Sequence, residues 1–241
     1  QENLKGTLAF EDIWPDGGDY DMNDVVVGYS TTFTVDKDNR IVAIRDVVTP
    51  LHSGGKLRSA FGYQLDIPVT AVKGVKIENG SSTAGLEKNQ DKAVVILFDD
   101  IEQAVARGPV SVEIELDGSL SMDKVTRKSL YNPFICVSDK GFVPGAVRKE
   151  IHLTNYPPTS LADPYPFGRN DDKSSLDKAG NPIGPYYYAT SELYPFAIDL
   201  PVTDYRIPDE MVKIDVFYPD FAGWVKSRGE KHKEWYKNSV K

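Results

Sequence analysis

The sequence predicts an all-β fold: an antiparallel β-sandwich or jelly-roll-like domain with one or two short helices and a long Pro-rich loop. Three observations carry that prediction. Thirteen Tyr and ten Phe, with many Val and Thr, are residues that suit a pleated, half-buried surface. Sixteen Pro and nineteen Gly interrupt the apolar runs at short intervals, as turns do. Apolar residues recur with a period of two in segment after segment, without the alternating strand and helix patterns of a parallel sheet. A chain of 241 residues can bury a sizeable core as one unit. It carries no internal repeat or low-complexity tract, so the expectation is a single domain over 1–241, in which 150–241 could form a C-terminal annex.

The clearest strand follows Asp24. Val25, Val27, Tyr29, Phe33 and Val35 share one parity, and Gly28, Ser30, Thr32 and Thr34 share the other, which describes a long half-buried strand. Asp36-Lys-Asp-Asn39 is a turn cluster, and residues 40–48 return as the partner strand of a hairpin. Further strands are expected at 60–67, 72–77, 93–98, 110–116, 134–137, 147–153, 196–200 and 212–217. Helices are expected at 99–107, ended by Gly108, and at 221–236, with Gly229 interrupting it. Between Asn155 and Tyr188 the pattern lapses into Pro-rich and Asn/Asp-rich segments. A structureless stretch of that length is commonly functional or mobile, and its aromatic residues argue for a packed cover over a sheet.

Charge is concentrated in one place. From Gly6 to Asp36 there is no Lys or Arg, while Glu11, Asp12, Asp16, Asp19, Asp21, Asp24 and Asp36 contribute minus seven of a net charge of −8. Crowded carboxylates repel one another and resist ionisation unless a cation sits among them, and the sequence around them supplies none. A hard divalent cation, calcium foremost, fits this composition, because calcium takes about six to eight oxygen ligands. Asp19-x-Asp21-x-Asn23 matches the first three ligand positions of an EF-hand loop, but Asp24 replaces that loop's Gly and Ser30 its closing Glu. An EF-hand is therefore excluded. In a plain strand Asp19, Asp21 and Asn23 would share a face and Asp24 would not, so Gly17-Gly18 must turn the chain if Asp24 is to join them. Asp12 and Glu11 could fold back as further ligands, with Trp14 buried as the anchor that fixes the loop. The alternative is a solvated acidic loop whose Asp and Asn side chains make Asx turns.

The same residues carry a family resemblance. Phe10-Glu-Asp-Ile-Trp-Pro, followed by Gly18-Asp-Tyr-Asp-Met-Asn-Asp-Val-Val-Val27, resembles the opening signature of the LruC domain family of secreted and lipid-anchored envelope proteins of Gram-negative bacteria. Ser59-Ala-Phe-Gly-Tyr-Gln-Leu65, Glu150-Ile-His-Leu-Thr-Asn-Tyr-Pro-Pro-Thr159, Leu193-Tyr-Pro-Phe-Ala-Ile-Asp-Leu-Pro201 and Tyr218-Pro-Asp-Phe-Ala-Gly-Trp224 are similar to later motifs of that family, in the same order. The resemblance covers nearly the whole chain. It implies a secreted or cell-envelope location, as an outer-membrane lipoprotein or a periplasmic or extracellular protein, and no catalysis. The acidic signature is also similar to shorter motifs of extracellular β-domains that hold calcium, and this implies Asp19, Asp21, Asn23 and Asp24 as ligands, with Asp12 assisting.

Other features point elsewhere or nowhere. Cys136 is the only cysteine, so no intrachain disulfide exists, and its apolar context fits a buried, inert thiol. His52, His152 and His232 lack the spacing of zinc ligands. No apolar run approaches the roughly 20 residues of a membrane helix, and Gln1 opens the chain without a signal peptide, which leaves its location unread. A pI near 5.0 with no basic stripe disfavours nucleic acid as a partner. Tyr186, Tyr187, Tyr188, Trp224, Trp235 and Tyr236 could form a sugar-stacking platform or fill a core. Glu11, Asp12 and Asp21 could hold a glycosidase pair, which requires two carboxyl groups roughly 5–9 Å apart. The reading that joins most of these features is a non-catalytic, calcium-stabilised envelope module that binds an unidentified protein or glycan. A carbohydrate-binding module and an acid-base glycoside hydrolase are the alternatives.

Overall fold

The structure, a computed structural model, describes residues 3–240. Among the described residues eleven strands form: β1 (Asn3–Phe10), β2 (Val25–Val35), β3 (Ile41–Ser53), β4 (Arg58–Pro68), β5 (Val72–Glu78), β6 (Gly85–Leu86), β7 (Lys92–Phe98), β8 (Val110–Leu116), β9 (Tyr131–Ser138), β10 (Lys149–His152) and β11 (Ala197–Leu200). Short helices follow β7 (α1, Ile101–Arg107), precede β9 (α2, Arg127–Leu130) and follow β11 (α3, Ile214–Phe217; α4, Phe221–Lys226). The strands make two antiparallel sheets, one ordered β11-β1-β2-β3-β8-β5 and the other β10-β9-β4-β7-β6. The predicted all-β, sandwich-like class is the one observed.

Strand parity decides what each sheet buries. Leu8, Phe10, Val25, Val27 and Phe33 of the first sheet enter one core with Phe61, Leu65, Val95, Leu97 and Ile135 of the second. Each such side chain contributes about 1.5–3 kcal/mol when fully removed from water. The opposite parity of the first sheet is also covered. Ala9, Val26, Ile198 and Leu200 pack under Tyr205, Ile214, Phe217, Tyr218, Phe221 and Trp235 from the C-terminal residues. The β1–β2 connection, residues 11–24, thus leaves the sandwich at an edge where both cores and the C-terminal segment meet.

Three sequence expectations are corrected. β1 was not anticipated; Lys5, Gly6 and Thr7 interrupt its alternation, and it forms because β2 and β11 supply partners on both sides. The strand expected at 212–217 is instead the helical turn α3. Strand parity would have buried Val212, Ile214 and Val216 together, yet Val216 is 60% exposed while Ile214 and Phe217 are buried, the spacing of a helix face. The helix expected over 221–236 stops at Lys226, where Arg228 (φ 54°) and Gly229 (φ 83°) adopt left-handed conformations. The Gly229 N–H then donates to Trp224 O at 2.9 Å, an arrangement that closes helix C-termini.

The long loop is a packed cover, as its aromatics suggested. The buried Trp14 ring lies 4.8 Å from Phe167 and 5.0 Å from Tyr188, centroid to centroid. Its indole N–H donates to Asp172 Oδ1 at 2.9 Å. The main-chain N–H groups of Asp171 and Asp172 both donate to Pro15 O at 3.1 Å. One end of the acidic loop is therefore anchored before any cation is considered.

Candidate metal centre

Residues 18–23 are curled, not extended. Gly18, Tyr20 and Met22 take φ of 61°, 59° and 56°, a left-handed conformation at every second position. For Tyr20 and Met22 this costs about 1–2 kcal/mol each. Both side chains are held in the C-terminal core. The Tyr20 carbonyl accepts from Ile214 N–H at 2.8 Å, and its hydroxyl donates to Pro195 O. Packing thus fixes Tyr20 and Met22, and the residues between them carry the oxygens.

Those oxygens fall into two adjacent groups. Ligand atoms of Asp19, Asp21 and Glu210 all lie within 4.8 Å of one another. Oxygens that share a calcium ion at about 2.3–2.6 Å can be no farther apart than about 5 Å, so this group has the required compactness. Asp21 is held there by the Met211 N–H, which donates to its Oδ2 at 2.8 Å. Beside it, Asp12 and Asp24 face each other, with the Asp12 N–H donating to Asp24 Oδ2 at 2.8 Å. Asp12 Oδ2 and Asp24 Oδ1 lie 2.1 and 3.0 Å from the point a β-carbon on Gly55 would occupy, and Asn23 Oδ1 lies 2.1 Å from the corresponding point on Gly54. Only glycines leave room for these oxygens. Glu11 lies beneath, accepting from Met22 N–H at 2.5 Å.

Burial makes the arrangement costly. Glu11, Asp12, Asp21, Asn23 and Asp24 are all buried. Glu11 Oε2, Asp12 Oδ2, Asp21 Oδ1 and Asn23 Oδ1 have no hydrogen-bond partner. An unsatisfied buried polar group costs about 1–3 kcal/mol, and more when charged. Desolvation is the largest cause pushing the Glu11 carboxyl well above its usual range, and the charges of Asp24, Asp21 and Asp19 push it further. Burial, followed by Asp19 and Glu210 among the charges, raises Asp21 to about 6. Burial and then Asp12 raise Asp24 to about 7. Asp12 rises through burial too, opposed first by the Lys149 ammonium, whose Nζ donates to Asp12 O at 3.2 Å. A hard cation fits this donor set: it would satisfy the orphaned oxygens and hold the carboxylates ionised.

The sequence singled out Asp12, Asp19, Asp21, Asn23 and Asp24, and the fold brings all five to one region. Asp19 and Asp21 converge with Glu210, while Asp12, Asn23 and Asp24 gather around Gly54 and Gly55. Glu210 and the two glycines were missed. Glu210 is distant in sequence and carries no local signal; Gly54-Gly55, between two strands, marked a close backbone approach. The histidines do not assemble. His152 is buried between Asn132 Oδ1 (2.6 Å) and Glu150 Oε2 (2.9 Å), and His232 pairs with Asp220 at 3.1 Å. Cys136 is buried, and burial pushes its thiol far above the usual range.

Comparison with known proteins adds fold and family. A crystal structure of a candidate lipoprotein from Bacteroides ovatus superposes with a TM-score of 0.68 at 19% identity, covering 99% of this chain and 74% of that one. At that identity the likeness shows the fold alone. No curated protein matches the chain. A family model described as a domain of unknown function, DUF4842, matches residues 39–236, a span that includes Gly54, Gly55 and Glu210 and begins after the acidic loop. That span is well over half of the chain, and the protein belongs to the DUF4842 family.

Proposed function

We propose that the chain is a non-catalytic, calcium-stabilised module of the bacterial cell envelope, secreted or lipid-anchored in the manner of LruC domains, which it resembles through its acidic signature. The observation that carries this reading is the set of buried, unpartnered oxygens on Glu11, Asp12, Asp21 and Asn23 beside the convergent carboxylates of Asp19, Asp21 and Glu210. An ion bound there would tie the β1–β2 connection to the segment before α3, which covers the outer face of the first sheet. Its role is then structural: it fixes the C-terminal segment on the sandwich so that the surface they build together can engage a protein or glycan of the envelope. The lipoprotein description of the structural relative supports the location.

The test is elemental analysis of the purified protein together with thermal unfolding in calcium and in chelator. A ligand that binds only the folded state adds about 2.7 kcal/mol at a hundredfold excess over Kd, so the melting temperature should rise clearly with millimolar calcium. Asp21→Asn, which removes one charge with little change of shape, should abolish most of that rise. Identical melting curves in calcium and chelator, with no metal detected, would sink the reading.

A further inference from the structure

A second concavity lies where α4 and the 186–195 strap meet the end of the sandwich, and Pro195 on its lining accepts from the Tyr20 hydroxyl of the acidic loop. It is a cavity of about 600 Å³, within the roughly 300–1,000 Å³ of small-ligand sites. Two of the six aromatic residues singled out in the sequence line it, Tyr186 and Trp224. Tyr188 and Trp235 are instead buried in the two cores. Tyr186 is 41% exposed and makes no ring contact with another described residue. Trp224 is half-buried, held against Phe221 and Trp235 at centroid distances of 5.6 and 5.7 Å. The lining therefore includes a fixed indole and a free phenol.

The polar lining is dominated by donors. Lys128, Asn155, Tyr186 and Arg228 line the cavity, and among the described residues none of their side chains has a hydrogen-bond or ion-pair partner. The acid on the rim, Glu230, is already opposed by Lys233 at 3.8 Å. Two unpaired cations in one cavity are notable in a chain of net charge −8. The backbone is specialised here as well. Asn155 and Leu193 take φ of 69° and 67°, left-handed conformations that cost on the order of 1–3 kcal/mol each in a non-glycine residue and gather at ligand sites, while that of Arg228 closes α4.

We infer that this cavity binds a carboxylate-bearing saccharide, a short uronic-acid-containing oligosaccharide. The C–H face of a sugar ring is apolar and fits an aromatic wall. Its hydroxyls accept from and donate to Asn155 and Tyr186, and its carboxylate pairs with the forked guanidinium of Arg228, a charge-assisted contact stronger than a neutral hydrogen bond. Lys128 supplies the second charge. The inference does not require an ion in the acidic loop, since none of that loop's carboxylates lines the cavity.

The experiment is calorimetric titration of the full chain with a glucuronate-containing tetrasaccharide, a neutral glucose tetrasaccharide and tetraglutamate. Saturable binding of the uronate sugar, at least tenfold tighter than either control, is expected. Tyr186→Ala and Arg228→Gln should each weaken it at least tenfold with unchanged melting temperature. Titrated well below its melting temperature, where the C-terminal segment stays folded on the sandwich, Asp21→Asn should leave it intact, so the two sites fail or succeed independently. Absence of saturable binding overturns the inference, and so does equal affinity for the neutral sugar. Equal affinity for tetraglutamate assigns the cavity to acidic peptides instead, and wild-type affinity in both variants removes the ligand from it.

Discussion

Asp12 and Asp24 occupy one space that Gly55 keeps open: their Oδ2 and Oδ1 atoms stand 2.1 and 3.0 Å from where a β-carbon on Gly55 would lie. No real Cβ tolerates the first of these distances, so Gly55→Ala must push a buried carboxylate away or move the β3–β4 connection. The expected result is a lowered melting temperature and a weakened calcium response in the same variant. Gly74→Ala is the control, since the nearest atom to its added carbon is a Glu115 carboxylate oxygen at 3.8 Å. If Gly55→Ala melts and responds to calcium like the parent, the oxygens are not confined as described.

How far this site was legible depends on the range of the contact. Asp19, Asp21, Asn23 and Asp24 lie within one loop, and their crowding without a basic residue identified them. Glu210 joins through the 201–211 segment, to which the sequence assigns no element, and only the packing of Tyr205 and Ile214 on the outer face of the first sheet brings it near. The fold class was legible because both faces of β2 follow one parity. Parity misled at 212–217 because Val, Ile and Val alternate there, while the residues that meet the core are Ile214, Phe217 and Tyr218. A short segment can satisfy either period, and the available partner decides between them.

The raised carboxyl pKa values predict a pH dependence that calcium should reverse. The ordinary value for Asp is 3.8, and in the folded chain Asp21 rises to about 6 and Asp24 to about 7. A carboxyl whose folded pKa is raised holds its proton more tightly in the folded state. Its contribution to stability is full below the unfolded value and is lost as pH rises through the folded one. In chelator, therefore, the melting temperature should fall between about pH 4 and about pH 8. Calcium binds the ionised form, so its stabilising effect should grow across the same window. A difference between calcium and chelator that is constant with pH would contradict the assignment of these carboxylates as ligands.

Trp14 anchors the acidic loop to the long cover. It is fully buried, contacts Phe167 and Tyr188 and satisfies Asp172. Trp14→Ala should cost about 3–5 kcal/mol, as for other buried large aromatics, read as a lower urea midpoint. Trp14→Phe should cost less, because a ring remains and Asp172 Oδ1 keeps the Ser174 hydroxyl at 2.9 Å. Ile13→Ala, beside it but 38% exposed, should change little. A midpoint for Trp14→Ala within experimental error of the parent would show that the cover does not depend on the indole.

The last prediction is that the purified chain releases no product from aryl glycosides or polysaccharides. A glycosidase needs two carboxyl groups facing a cleft, one protonated and one ionised. Glu11, Asp12 and Asp21 are the carboxyl groups the sequence offered for that work, and at 0%, 3% and 0% exposure they face the interior. None of them lines the cavity beside α4. Glu11 comes nearest to a general acid, since burial pushes its carboxyl well above the usual range. Its Oε1, however, is engaged by Met22 N–H, and its Oε2 is buried. A sugar would have to displace the loop to reach it. Turnover that persists in the parent, disappears in Glu11→Gln and leaves the melting temperature unchanged would show that the loop opens and that the site is catalytic.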